Sequence, residues 1–314
     1  MQTPSSIFIR ACGRCGAARF SRRACPPRPF SSPRRGYVLL LVLLVLAIAA
    51  TAMAGVCRMS LRKAVHARRA EEDLQRRWAV VSCQSMLLPN AEQVLARQPG
   101  PAAEARRDVR LGDQSFTLVF GDEQAKANVN LLYRVGGLSG AERGVRRLVR
   151  GADVPIDLRP LPGRDRRSAD DDQEPRAFES LGQVFGRTPP AALIDGAGRG
   201  PPSASVLTCW GGGVLHFGRA PDEAVREVCG RHAGAAQANL LVQVRAREPG
   251  ITARQALEEL KLTETAREAL DELLADESGC HSLWVISRSG DRNWYDLAVA
   301  DEWAEDGRPV MFSW

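Results

Sequence analysis

The sequence predicts an α+β protein: a long N-terminal transmembrane and amphipathic helix, an antiparallel sheet, and an inserted, mostly helical domain. Three observations carry that prediction. Tyr37 to Val56 contains no charged residue, and as one helix it spans roughly 30 Å, the thickness of a bilayer's hydrocarbon core. Helical spacing then continues without a break towards Pro89. Finally, segments of period two near residues 108–120 and 282–313 bracket a middle of helical period.

Residues 1–36 form a basic leader with eight Arg and no Lys, Asp or Glu. Those arginines outnumber the net charge of +6 for the whole chain, so everything after them is acidic on balance. The charge therefore lacks the broad positive footprint that a phosphate backbone requires, and nucleic acid is not an expected partner. Eight basic residues precede the apolar segment, and Arg58, Arg62, Lys63, Arg68 and Arg69 follow it. The excess on the leader side favours an N-terminus inside and a body outside the cytoplasmic membrane. An Arg-rich, acid-free start also suits an organelle transit peptide, but such a peptide is rarely followed at once by a membrane-length helix.

The elements follow in order. Residues 37–56 are the transmembrane helix and 57–100 its amphipathic continuation. Leu61, Val65, Leu74, Trp78, Val81, Ser85 and Leu88 recur at three- and four-residue steps, with Arg68, Arg69, Glu71, Glu72, Asp73, Arg76 and Arg77 between them. From Tyr37 to Pro89 that makes a helix of about 52 residues, roughly 78 Å long. Asn90 is expected to cap a short helix from Ala91 to Arg97. Val109, Leu111, Phe116, Leu118 and Phe120 alternate around Gly112-Asp113 and predict a β-hairpin. Asn130 is placed to cap a helix starting at Leu131, with Asn128 bonding the turn before it.

Residues 131–280 make the inserted domain, with loops at 151–175 and 187–204. The acidic run from Ala169 to Glu174 matches no EF-hand spacing and reads as a solvated loop. Ala177 to Phe185 returns to helix. Ser205 to Phe217 predicts strand, Gly211-Gly-Gly213 turn and strand. Pro221, with Asp222 and Glu223 behind it, marks a helix start, because proline fits a first turn and acids complement the dipole. Helices over 221–230 and 234–247 follow, then a pair of helices spanning 252–276. Short strands then close the chain, so that 101–130 and 281–314 together supply the sheet.

Enzyme signals are poor. His66, His216, His232 and His281 are dispersed without a metal-binding spacing. Gly196-Ala-Gly198-Arg-Gly200 runs into Pro201-Pro202, so no helix opens there to meet a phosphate. No Gly-x-Ser-x-Gly elbow exists. Leu257 to Leu270 has the outline of a helix–hairpin–helix, but Lys261-Leu-Thr263 replaces its glycines and four glutamates surround it, so packing accounts for it better. Cys12 and Cys15 form a lone CxxC with no second ligand pair. In the body only Cys209, Cys229 and Cys280 remain, and an oxidising compartment permits one bridge among them without the sequence choosing the pair.

Several segments resemble the K-type minor pseudopilins of type II secretion. Arg34-Arg35-Gly36 before Tyr37 resembles a prepilin peptidase site, which lies ahead of the apolar segment. Gly121-Asp-Glu-Gln-Ala-Lys-Ala-Asn-Val-Asn-Leu-Leu132, Phe178-Glu-Ser-Leu-Gly-Gln-Val-Phe-Gly186 and Leu207-Thr-Cys-Trp-Gly-Gly-Gly-Val-Leu-His-Phe-Gly-Arg-Ala-Pro221 resemble that family's internal motifs. The likeness covers most of residues 34–300. Tyr37 stands where relatives usually start with Phe, and His216 and Gly218 stand where Asn is expected. The fifth residue after the cleavage site is Leu41, not the usual Glu, an absence known in K-type subunits.

The resemblance implies a pilin-like sheet, cleavage between Gly36 and Tyr37, and a structural subunit at the pseudopilus tip. Its partners would be other minor pseudopilins, packed helix on helix along the 61–88 stripe, together with prepilin peptidase and the inner-membrane secretion platform. No cofactor is predicted; calcium enters only through the resemblance, with no ligands assignable to particular residues. The alternatives are a single-pass, membrane-anchored extracytoplasmic protein of unrelated function, an enzyme included, and a DNA-uptake or adhesion pilin component.

Overall fold

The computed structural model describes residues 34–98, 102–112, 114–151, 155–156, 158, 178–186, 188–196, 200–289, 292–302 and 309–313. The leader up to residue 33, the acidic run 169–174 and most of the predicted loop 151–175 lie outside them, whereas of the predicted loop 187–204 only residues 187 and 197–199 do. The described chain is α+β, as the sequence predicts. Contacts divide it into Met1–Ala67 and Arg68–Trp314.

Helix α1 runs Arg34–Leu87. In the first unit its side chains from Tyr37 onward are exposed, and the apolar stretch is long enough to cross a membrane by length and composition. An apolar surface of that length exposed all round is unstable in water and satisfied in hydrocarbon.

In the second unit, the end of α1 becomes a scaffold. A single turn of 3-10 helix, Leu88–Asn90, bends the chain into α2, Ala91–Ala96. Pro89 forces that change, since it cannot donate to the preceding turn. Asn90 does not cap α2 as expected: its Nδ2 donates back to the Met86 carbonyl over 2.9 Å. The backward bond satisfies an orphan carbonyl at the end of α1.

A five-stranded antiparallel sheet lies against these helices. Its strands are β1 (Glu104–Leu111), β2 (Gln114–Asp122), β7 (Cys280–Ser289), β8 (Arg292–Asp301) and β9 (Val310–Ser313), in the order β1-β2-β7-β8-β9. The central pairing joins two segments far apart in sequence, from Phe116↔Ser287 to Asp122↔His281. Alternation decides which face each residue covers. Phe116, Leu118, Phe120, Leu283, Val285 and Ala298 pack under the helical scaffold with Val80, Cys83, Leu88, Ala91 and Leu95. Val119, Trp284, Tyr295, Leu297 and Val299 point the other way into a second, larger core. Each such large side chain, once fully buried, contributes about 1.5–3 kcal/mol.

That second core is the inserted segment. It starts with a 3-10 turn at Glu123–Ala125 and β3 (Ala127–Asn128). Helix α3 (Val129–Leu148) follows and is broken at Gly137, whose φ is 63°. Next come α4 (Leu181–Phe185), α5 (Pro190–Ile194), α6 (Ser203–Val206), β4 (Leu207–Thr208) and β5 (Leu215–His216). Helices α7 (Asp222–Ala233), α8 (Ala235–Arg247), α9 (Ala253–Glu259) and α10 (Glu264–Leu273) lead to β6 (Leu274–Ala275). Thr252 and Gln255 close a capping box on α9, and Thr263 caps α10.

Three elements differ from expectation here. The stretch 187–204, expected as a loop, holds α5 and the start of α6. The helix expected from Ala177 begins only at Leu181, although Phe178 is buried ahead of it. Residues 205–217 form no hairpin: β4 pairs in parallel with β3, and β5 in parallel with β6. The glycine run still turns, with positive φ at Gly211, Gly212 and Gly213, but it directs the two short strands to different partners.

One buried ion pair ties helix to sheet. Arg76 Nη1 donates to Asp296 Oδ2 over 2.9 Å, both side chains being nearly covered. The same guanidinium lies 4.5 Å from the Trp294 ring centroid and also reaches Asp73. Removing one partner leaves an uncompensated buried charge. Arg76→Ala is therefore expected to lower unfolding free energy by about 3 kcal/mol, read by urea denaturation of the detergent-solubilised chain. A loss below about 0.5 kcal/mol, the size of a surface pair, would contradict this account.

Candidate functional site

Two regions carry the distinctive chemistry: the outward face of α1 and a polar junction where the inserted segment meets the sheet. On α1 beyond Arg68, the residues turned to the sheet are Arg76, Val80, Cys83 and Gln84, all buried. Of the apolar stripe read from the sequence, Leu61, Val65, Leu74, Trp78, Val81 and Ser85 are exposed and Leu88 is buried. The sequence pattern thus contains two faces, and its most obviously apolar one is not the one that the sheet covers. Arg76 and Gln84 break the covered face in sequence, because a periodicity count scores them as solvent-facing although both are buried.

The junction is built on Asp122, the last residue of β2. Its Oδ1 accepts from the amides of Gln124 and Ala125 and from Ser278 Oγ at 2.6 Å. Its Oδ2 lies 3.4 Å from an Arg219 nitrogen. Gln124 spans the same gap, donating to the Gly211 carbonyl and accepting from the Gly279 amide. Glu123 Oε1 accepts from Lys126 Nζ at 2.7 Å and from Ser282 Oγ at 2.5 Å. Lys126 is fully buried. Burial acts to lower its pKa, but the Glu123 and Glu104 carboxylates outweigh that and hold it raised, so the ammonium stays charged. Gly121 is required by this crowding: a Cβ there would stand 2.6 Å from Ser282 Oγ.

The junction extends to α2. Glu92 accepts two bonds from the Arg219 guanidinium, at 2.6 and 2.5 Å, and lies 3.1 Å from His281 Nε2. His216 Nδ1 accepts from the Arg219 amide, and burial lowers the pKa of that imidazole, so it serves as a neutral turn-former. Sequence reading missed Glu92, Arg219 and Lys126 altogether. The only signal was the density of polar residues in Gly121–Lys126, most of whose partners lie from 87 to 159 residues later.

The structure places the predicted site residues as follows. Gly36 lies within helix α1, and Tyr37 and Leu41 are exposed on it. Trp78 is exposed in the second unit. Asn128, not Asn130 as expected, caps the helix, and Asn130 takes a role that was not expected. Asn128 is the cap of α3, accepting from the amides of Asn130 and Leu131, so the helix starts at Val129. Its Nδ2 also donates to the Trp210 carbonyl. Asn130 instead staples three chain segments: it accepts from the Phe178 amide and donates to the Phe178 and Cys209 carbonyls. Pro221 stands just before α7, whose first turn holds Asp222 and Glu223.

Cys209, Cys229 and Cys280 are free thiols in buried positions. Burial pushes all three thiol pKa values up, that of Cys229 to about 12. Among the described residues no three of His, Cys, Asp and Glu converge on one point, and the Asp122 oxygens are taken by amides, Ser278 and Arg219.

No family model and no curated protein sequence matches the chain. Among solved structures it is similar to a chain of the GspK-GspI-GspJ complex from the type 2 secretion system of enterotoxigenic Escherichia coli. The identity is 14%, the match covers 79% of this chain and 98% of that one, and the TM-score is 0.45.

Two predictions follow from the junction and the staple. The Arg219 hydrogen bonds first, and the charges beside them, depress the Glu92 pKa from 4.5 to about 2. A depressed carboxylate pKa adds stability that is complete above about pH 4.5 and is lost as pH falls towards about 2. Glu92→Gln is expected to flatten the stability curve in that window, measured by urea unfolding at stepped pH; an unchanged slope would count against the pairing. Asn130→Ala, which strands two carbonyls and an amide, is expected to cost about 2 kcal/mol and to open residues 178–186 to limited proteolysis. Unaltered cleavage kinetics there would exclude the staple.

Proposed function

We propose that this chain is a K-type minor pseudopilin: a structural, non-catalytic subunit at the tip of a type II secretion pseudopilus. One observation carries the reading. The helix that is apolar and exposed from Tyr37 to Val56 is the same α1 whose end, Val80 to Leu88, forms the spine of an antiparallel sheet. An uncharged helical stretch long enough to cross a membrane, followed by an antiparallel sheet that packs on helix, suits a subunit that is held in a filament by its helix.

Arg34-Arg35-Gly36, directly before the uncharged stretch that starts at Tyr37, supports processing by prepilin peptidase at Gly36. Leu41 supports the tip position. A glutamate at that place pairs with the freed N-terminal amine of a neighbour, and an unpaired carboxylate in hydrocarbon costs a few kcal/mol. A subunit with Leu41 offers no such partner to a subunit stacked above it. The large inserted domain then covers the tip. In this reading the protein sits in the inner membrane with its N-terminus inside and its head in the periplasm, beside other minor pseudopilins and the secretion platform.

Co-expression with a prepilin peptidase, followed by N-terminal sequencing of the membrane-bound product, tests the assignment. The expected mature chain starts at Tyr37. Retention of the leader, or a start beyond Val56, would overturn it.

A further inference from the structure

The stretch of α1 directly after the uncharged segment carries charge that nothing else in the helix answers. Arg58, Arg62 and Lys63 lie there, within the first unit, and all three are exposed. Arg58 and Arg62 stand four residues apart, so they are neighbours on one helical face, with Lys63 beside them. No acid occurs from Tyr37 to Ala70, and the first one after it, Glu71, is eight residues beyond Lys63. Elsewhere the helices pair their exposed arginines one turn away: Arg68 with Glu72, Arg77 with Asp73, Arg146 with Glu142 and Arg254 with Glu258. Among the described residues, Arg58, Arg62 and Lys63 have no such partner.

Depth and direction select the occupant. With the uncharged stretch across the hydrocarbon core, Arg58 follows its end by about 3 Å and Lys63 by about 10 Å. The headgroup layer beyond the core is about 5–8 Å thick. Each Cα–Cβ bond of a helix tilts towards the N-terminus, which for these residues is towards the membrane. Their long side chains therefore reach back into the layer of phosphates. Topology does not account for them: basic residues that fix orientation stand on the cytoplasmic side, and these stand on the other. In the pseudopilin reading the eight arginines of the leader leave with it, so the mature chain carries all its juxtamembrane positive charge outside. Charge kept against the topology rule fits an anionic surface on that side.

Resting on the pseudopilin reading, we infer that Arg58, Arg62 and Lys63 bind the phosphate groups of anionic phospholipids in the outer leaflet of the membrane. The two guanidinium groups take phosphate oxygens in paired hydrogen bonds, and Lys63 adds a point charge. The contact fixes the depth of α1 after the leader that held its other end has gone.

Native mass spectrometry of the processed chain in detergent, titrated separately with phosphatidylglycerol and phosphatidylcholine, provides the test. Phosphatidylglycerol is expected to bind about tenfold more tightly or better. The triple variant Arg58→Gln, Arg62→Gln, Lys63→Gln is expected to lose about a hundredfold of that affinity, roughly fivefold per charge. Its phosphatidylcholine binding and its helix content by circular dichroism should not change, since all three positions are exposed. Inorganic phosphate at the same concentration should not displace the lipid. Equal affinity for the two lipids, undiminished binding by the variant, or displacement by inorganic phosphate would each overturn the proposal. In cells, a photo-crosslinking residue in place of the exposed Met59 is expected to capture lipid; capture of an acidic protein segment instead would overturn it too. The two readings fail separately. A chain that starts at Tyr37 and shows no lipid preference sinks the lipid site alone, whereas a retained leader with the preference intact sinks the pseudopilin reading.

Discussion

The pairing of β2 with β7 is the constraint on which everything else depends. It brings together segments separated by the whole inserted domain, and it must do so in one register, since a slip of one residue would exchange the two faces of the sheet. On one face Phe116, Leu118, Leu283 and Val285 would lose the helical scaffold; on the other Val119 and Trp284 would lose the insert. Closing so long a loop costs entropy that grows only slowly with its length. Two apolar cores, one on each side of the same strands, are ample to offset it.

The polar junction explains why the register holds where hydrophobic burial is least selective. Asp122, Glu123 and Gln124 leave β2 and reach Ser278, Gly279 and Ser282 around the start of β7. A hydrophobic substitute there would bury as well but would not discriminate one register from the next. Buried charge is a weak source of net stability; its contribution here is geometric, because Lys126 and Asp122 are satisfied by one set of neighbours only. Glu92 and Arg219 carry the same specification to α2, so helix, sheet and insert share one meeting point.

How much of this was legible in the sequence depends on the range of the interaction. The apolar run from Tyr37, the hairpin around Gly112, the capped helices of the insert and the closing strands are local patterns, and they read correctly to within a few residues. Residues 205–217 did not, because two-residue strands that pair in parallel with distant segments leave no alternation to detect. Asn128 and Asn130 were both singled out, yet Asn128 and not Asn130 is the cap, since either asparagine can cap and only the positions of Phe178, Cys209 and Trp210 decide between them. The α1 stripe was the most instructive case. Periodicity found an apolar face, but the face it found is the free one, and the covered face was masked by Arg76 and Gln84.

Hydrogen exchange on the full-length, detergent-solubilised chain measures the central pairing most directly. The amides of β2 and β7 are expected to open together, with the same free energy, as the most protected group in the second unit. Protection confined to β1 and β2, with β7 to β9 exchanging as freely as frayed ends, would show that the returning strands are not part of the frame and would contradict the account.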